Sequence, residues 1–230
     1  VMMPSRFTSH DSLEDETTLA KNLGITLETI SIENVVKEYE AALNPTLSKD
    51  APATTFENLQ SRARGMFLMA LSNATGKMVL STGNKSEMAV GYATLYGDMC
   101  GGFNPLKDVY KTQVYDLCRW RNGQAAIIPE RVLTKAPTAE LKANQTDQDT
   151  LPPYEALDAI LHGLIEEELG LDDLAARGHE KTLIHKVWRM LDAAEYKRRQ
   201  APPGVKITPR AFGRERRYPI TNGFLKNLEK

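Results

Sequence analysis

The sequence predicts an α/β fold, a mostly parallel sheet flanked by helices, with a helical C-terminal extension. Three observations predict it. Strand-like and helix-like patterns alternate through the first 43 residues, a short apolar run at Met78–Leu80 breaks abruptly into small polar residues, and from Pro152 three helical patterns follow with short joins. Alternating strands and helices imply parallel pairing with right-handed crossovers. A buried strand ending in a polar loop marks the carboxyl edge of such a sheet, where ligands sit.

Val1-Met2-Met3 reads as the first strand. A chain seldom opens inside a buried strand, because an ionised amino terminus there is costly, so the sequence reads as a piece of a longer protein. A helix follows to Leu23, capped by Asp11 or Ser12 and closed by Gly24, with Glu14, Asp15 and Glu16 in its first turn. Ile25–Ile32 alternates as a strand, and Asn34–Leu43 is the second helix. Asn44–Thr55 is rich in Pro, Thr, Ser and Ala and reads as a mobile loop. From Glu57 to about Asn73 a long helix presents Leu59, Ala63, Met66, Phe67 and Ala70 on one core face. Asn58 and Arg62 form an i, i+4 pair flanking that stripe, while Arg64 points largely the other way. Arg62 is therefore the better placed to reach a ligand; a solvated face is the other reading.

Met78–Thr82 is the third strand, leading into Ser81-Thr82-Gly83-Asn84-Lys85-Ser86-Glu87. A hydroxyl, an amide and one carboxylate delivered together could hold a nucleotide and one metal ion. The plainer reading is a strand-to-helix turn capped by Asn84 or Ser86. Glu87 to Leu95 reads as helical, and Gly97–Gly102 as a close-approach loop around Asp98. A further amphipathic helix, from about Pro105 or Lys107 to Arg121, carries Lys111 in its first half. A lysine there opposes the helix dipole, an inconsistency of the kind found at functional sites. Lys135–Leu141 is extended, and Gln145–Thr150 is polar and acidic, disordered or ordered by a ligand. The helices of the extension span Tyr154–Leu169, Leu171–Arg177 and Lys181–Ala194, the last with Leu183, Ile184, Val187, Leu191 and Ala194 as its core face. The tail from Glu195 is strongly basic, and its prolines at 202, 203, 209 and 219 make it an ordered wrap. Phosphate on a small anionic ligand suits those charges as well as nucleic acid does.

Composition narrows the function classes. In 230 residues the formal net charge is −1, which argues against a general electrostatic grip on nucleic acid or an anionic membrane. No apolar run approaches the roughly 18 residues of a membrane span. The two cysteines, Cys100 and Cys118, lie in no metal-ligand spacing and read as reduced thiols of a cytoplasmic protein. The four histidines read as structural or surface residues.

TGNKSEMAVGYATLYGD (Thr82–Asp98) resembles the synthetase domain of the NAD+ synthetases. The resemblance continues through Pro4-Ser5-Arg6, ENLQSRARG (Glu57–Gly65), LKDVYKTQVY (Leu106–Tyr115), APTAEL (Ala136–Leu141), LPPYEALDAIL (Leu151–Leu161) and the tail Glu195–Asn222. It covers essentially the whole chain, and its form resembles that of the glutamine-dependent members. It implies a Rossmann-like adenine-nucleotide α-hydrolase fold, with residues 1–150 as the ATP-pyrophosphatase-type core and 151–230 as a helical extension and basic tail of the same domain. It also implies an activity: deamido-NAD+ is adenylated with ATP and Mg2+, and ammonia, free or derived from glutamine, displaces AMP to give NAD+ and pyrophosphate. A homo-oligomer built on a dimer is expected, with neither nucleic acid nor membrane as partner.

Carried over residue by residue, the resemblance assigns Thr82, Lys111 and Thr138 to ATP and Glu87 to Mg2+. It assigns Asn58, Arg62, Asp98 and Lys197 to deamido-NAD+. No residue is assigned to bond making itself. Ammonia-dependent members often carry a lysine where Leu95 stands here, so that contact is replaced or lost. The family's SGGxDS pyrophosphate loop occurs nowhere in this sequence and is expected just upstream of Val1. Backbone N–H groups of such a loop cradle phosphates, so turnover is expected only in a longer chain. The competing expectations are an inactive fragment serving as a nucleotide-binding or dimerisation module, and another ATP-pyrophosphatase amidotransferase acting on xanthosine monophosphate.

Overall fold

A computed structural model of the chain describes residues 1–224. Its helices are α1 (His10–Leu23), α2 (Glu33–Leu43), α3 (Ala53–Thr75), α4 (Lys85–Val90), α5 (Lys111–Gln124), α6 (Glu130–Thr134), α7 (Tyr154–Ile165), α8 (Leu171–Ala176), α9 (Lys181–Ala193) and α10 (Glu195–Arg198). The chain divides into two compact units. The first comprises Val1–Val79, Tyr96–Asp98 and Tyr115–Thr150; the second comprises Leu80–Leu95, Met99–Val114 and Leu151 onward.

In the first unit Ser9, rather than Asp11 or Ser12, caps α1, its hydroxyl accepting from the Ser12 N–H. Gly24 closes the helix in the left-handed conformation that glycine adopts without steric cost (φ 65°). The two expected strands meet in parallel register: Met2 N–H donates to Glu28 O, Ile30 N–H to Met2 O and Ile32 N–H to Pro4 O, at 2.7–3.0 Å. Among the described residues, however, the pairing amounts to an isolated bridge at Met2 and Thr29, not an extended sheet. Pro4 brings no N–H to continue the ladder. The core is small: Ile32, Val36 and Ala63, with Met3, Val35 and Phe67 against them.

The helix α3 starts four residues earlier than its pattern indicated, taking in the end of the expected loop, and its buried positions are Gln60, Ser61, Ala63 and Gly65. Met66 and Ala70, expected in the core, are exposed. Small residues face inward instead, which brings backbone close on that side. The acidic segment before residue 150 is a 3-10 turn, Asp147–Asp149, in which Thr146 and Asp149 bond each other's backbone and side chain.

The second unit is built on helices. Leu157, Ile160, Leu161, Leu164 and Ile165 of α7 pack with Leu174 of α8, Ile184, Val187 and Leu191 of α9, and Met88, Ala89 and Val90 of α4. On α9 the spacing i, i+3, i+7 puts all three on one stripe. Each such side chain gains roughly 1.5–3 kcal/mol by leaving water. The strand expected at Met78–Thr82 is reduced to a parallel bridge between Leu80 and Phe103, with Ser81 N–H donating to Phe103 O. Met78 and Leu80 are exposed, not buried. The helix expected over Glu87–Leu95 is only α4, ended at Gly91 (φ 71°). That glycine also lies where a methyl group would stand 2.8 Å from the Ala194 Cβ. Likewise α5 begins at Lys111 itself, because the preceding residues turn back through Lys107 N–H to Asn104 O and Val109 N–H to Leu106 O.

Candidate functional site

In the second unit the polar loop and α4 are held from every side. Six residues make a helix that is marginal alone, so its stability comes from anchors. At its start Asn84 Oδ1 accepts the Glu87 N–H at 2.9 Å and the Glu87 carboxylate accepts the Asn84 N–H at 3.0 Å, a reciprocal capping box. At its end the Lys197 ammonium donates to Gly91 O and Ala93 O, both at 2.7 Å, and Arg198 donates to Ala89 O at 2.6 Å. Cations there satisfy the last carbonyls and the negative end of the dipole. Before α4, the fully buried Asn104 donates to Gly83 O at 2.8 Å and sets the turn that exposes Thr82.

Lys85 is fully buried. Its ammonium reaches Asp108 Oδ1 at 2.7 Å, Glu166 Oε1 at 2.5 Å, Thr208 Oγ1 at 2.6 Å and Arg210 O at 3.2 Å. Burial pushes the Asp108 carboxyl up, but Lys85 and the Thr208 and Ile207 N–H groups outweigh it and hold it below the usual carboxylate range. The same contacts order the basic tail. Of its other cations, Lys206 pairs with Glu215, Arg210 with Glu168, and both Arg198 and Arg199 with Glu195.

The Glu87 and Lys111 side chains are both partly exposed and meet at 3.4 Å, between Glu87 Oε1 and Lys111 Nζ. The Lys111 ammonium also stands 5.4 Å from the centre of the Tyr154 ring. Thus the exposed Thr82, Glu87 and Lys111 all belong to this unit. The capping reading and the ligand reading of Glu87 are compatible: Oε2 serves the cap and Oε1 faces the lysine.

In the first unit α3 carries Asn58, half-buried, and Arg62, exposed, on either side of Ser61. Ser61 Oγ accepts the Asp98 N–H at 3.1 Å and lies 3.4 Å from Asp98 Oδ1. Gly97 makes this possible, since a Cβ there would stand 2.2 Å from Ser61 Oγ. Asp98 is therefore brought beside the Asn58–Arg62 turn, as an acid in a close-approach loop can be. Arg64, by contrast, donates to Met3 O and supports the fold. Thr138 sits in a loop tied down by its neighbour: its hydroxyl accepts the Glu140 N–H at 3.1 Å, and the Glu140 carboxylate takes hydrogen bonds from Ser9, Ser12 and Lys135. Burial opposes ionisation of Glu140, yet those donors leave it below its ordinary value. Gln60 Nε2 donates to Leu141 O and fixes the other end of that loop.

Sequence reasoning missed Lys85, Asn104, Asp108, Ser61 and Asp158 as organisers of these regions. Lys85 lies inside the TGNKSE stretch, and a lysine among small residues before an apolar helix was the available signal. Among the described residues one His/Asp/Glu group has metal-binding spacing, His10, Asp11 and Glu14, all exposed. Arg131 already bonds Asp11, Glu14 and Asp15.

Comparison with known proteins decides the family. The model of the NAD synthase family matches residues 1–201. The chain belongs to the NAD synthase family. It is 54% identical over 228 residues to the glutamine-dependent NAD(+) synthetase of Xanthomonas campestris, covering 97% of this chain and 41% of that relative. The solved glutamine-dependent NAD+ synthetase of Acinetobacter baumannii, in complex with ADP, is 49% identical with a TM-score of 0.58, over 97% of this chain and 40% of that one. The glutamine-dependent NAD(+) synthetase of Cytophaga hutchinsonii is 25% identical with a TM-score of 0.78, over 99% of this chain and 40% of that one. The chain spans about two fifths of the length of the relatives it matches. Its fold is therefore that of this part of the NAD synthases. No helix among the described residues is long and apolar enough to cross a membrane.

Proposed function

We propose that this chain carries the ATP-dependent amidation of deamido-NAD+ to NAD+, through an adenylated carboxylate that ammonia attacks with release of AMP and pyrophosphate. The single observation that carries the reading within the chain is the Glu87–Lys111 pair, in which Glu87 ends the stretch opened by the exposed Thr82, all within the family-matched residues. Oxide is a poor leaving group, so ammonia cannot displace it from a carboxylate; adenylation supplies a leaving group, and the rest is positioning and charge neutralisation. Lys111 supplies a fixed positive charge for ATP phosphate and the Thr82 hydroxyl orients the nucleotide; Thr138 is assigned to ATP by the resemblance alone. Asn58, Arg62, Asp98 and Lys197 are proposed to hold deamido-NAD+. The bonds from Lys197 to Gly91 O and Ala93 O support a role through the Tyr92–Leu95 turn, which those bonds brace.

The donor set at Glu87 fits Mg2+: a hard carboxylate oxygen, one of the one or two that such an ion takes from protein when phosphate and water fill the rest. Bound there, Mg2+ would neutralise charge on the triphosphate. The parallel sense of the bridges at Met2–Thr29 and Leu80–Phe103 supports parallel pairing of the adenine-nucleotide α-hydrolase type. A core of residues 1–150 with 151–230 as its extension is proposed from the resemblance alone. Ammonia derived from glutamine is the proposed nitrogen source, as the names of the relatives suggest, and a homodimer the proposed assembly.

The test is a substrate panel on the full-length protein with ATP, Mg2+ and ammonium chloride. AMP and NAD+ should appear together with deamido-NAD+ as acceptor. AMP formation driven by xanthosine monophosphate and not by deamido-NAD+ would refute the proposal.

A further inference from the structure

The stretch LPPYEALDAIL places a buried carboxylate, Asp158 of α7, against the first turn of α5, and nothing in the reaction chemistry above uses it. Asp158 Oδ2 accepts both the N–H and the hydroxyl of Thr112 at 2.9 Å. Asp158 Oδ1 accepts the hydroxyl of Ser86 at 2.5 Å, and Ser86 Oγ in turn accepts the Lys111 N–H at 2.9 Å. The unsatisfied N–H groups that open every α-helix are thus capped in α5 from another helix, by Asp158 directly and through Ser86. Ser86 is fully buried and neighbours Glu87 on α4, while Lys111 and Thr112 open α5. One turn before Asp158, on the same face of α7, Tyr154 presents its ring to the Lys111 ammonium.

We propose that Asp158 is a positioning residue: through Ser86 and Thr112 it locks the start of α5 to α4 and so sets the distance between Glu87 and Lys111. The proposal rests on the reading of Lys111 as the lysine that meets ATP phosphate. Asp158 touches neither substrate nor metal in it. The geometry explains why a buried carboxylate is kept here. Three donors from two helices converge on its two oxygens, and an amide side chain could not accept them all, since one of its two heavy atoms is a donor only. A one-ångström error in the position of a charge-neutralising group weakens catalysis severely.

The experiment uses the full-length protein with ATP as the varied substrate and ammonium chloride as nitrogen source. Asp158→Asn is expected to raise the KM for ATP about tenfold while the KM for deamido-NAD+ moves less than about twofold. Combined with Lys111→Ala it should add almost nothing to the effect of Lys111→Ala alone, because one displaced group cannot be lost twice. Ser86→Ala, a smaller change, should shift the same parameter by about threefold and serves if Asp158→Asn does not fold. A folded Asp158→Asn or Ser86→Ala with wild-type KM for ATP overturns the positioning role. So do losses that multiply with Lys111→Ala, or equal shifts in both KM values. If Lys111→Ala itself leaves the KM for ATP unchanged, the site reading fails and the proposal with it; a large effect of Lys111→Ala beside a silent Asp158→Asn removes the positioning role alone.

Discussion

The Lys85 ammonium lies 2.7 Å from Asp108 Oδ1, and the two side chains are 0% and 2% exposed. A charge so placed is costly to desolvate and persists only when its partners are good. Here Glu166 is a second anion, and Thr208 and the Arg210 carbonyl complete the ammonium's shell. The pair joins α4 to the tail, two stretches more than a hundred residues apart in sequence.

Lys85→Met should therefore destabilise by about 3–5 kcal/mol, since it leaves Asp108 and Glu166 buried beside one another without their cation. Urea unfolding of wild type and variant measures it. A loss below about 1 kcal/mol would mean that water or another cation enters the site.

Asp108 also gives the fold a pH dependence of definite sign. Its native pKa is depressed, so its contribution is complete above the unfolded value of about 3.9 and is lost as pH falls through the native value. Glu140 and Glu195 are shifted the same way, Glu140 by its Ser9, Ser12 and Lys135 donors and Glu195 by Arg199 and Arg198, in each case against burial. Stability should fall steeply with acid below about pH 4, and less steeply in Asp108→Asn. Thermal melts from pH 6 to pH 2 would show parallel curves for the two proteins if this were wrong.

Glu87→Gln separates the two duties of that side chain. An amide oxygen still accepts the Asn84 N–H, so the capping box and the melting temperature should change little. Mg2+-dependent turnover of the full-length protein should drop at least about tenfold. Near-normal turnover would take Glu87 out of the metal site.

Lys197→Ala removes two charge-assisted bonds from the turn after α4, and about 1.5–3 kcal/mol of stability should go with each. The apparent KM for deamido-NAD+ should rise more than that for ATP, through the displaced Tyr92–Leu95 turn. Equal effects on both substrates would reduce the lysine to a folding role.

Much of the fold was legible because its signals are local. Gly24 stands where a left-handed residue ends a helix, and Asn84 is one of the two residues that the sequence offers as a cap before α4. The apolar stripe of α9 predicted its buried face to within Leu183, which is half-buried. Where the pattern misled, tertiary contacts had the last word. Met66 and Ala70 carry the right period on α3 yet face solvent, while polar Gln60 and Ser61 turn inward to meet Leu141 O and Asp98. The apolar runs at residues 1–3 and 78–80 pair as bridges, because a strand's identity depends on neighbours distant in sequence.

Residue order alone determined most of the helices, the family and the polar loop from Thr82 to Glu87, since periodicity and capping act over a few residues; the starts of α3 and α5 and both ends of α4 came only with the fold. The tertiary structure decided which charges meet. Lys85 finds partners 23, 81 and 123 residues away, and Asp158 caps a helix that starts 47 residues earlier. Such pairings follow from which buried groups must satisfy one another once packing has excluded water, and that condition exists only in the folded chain.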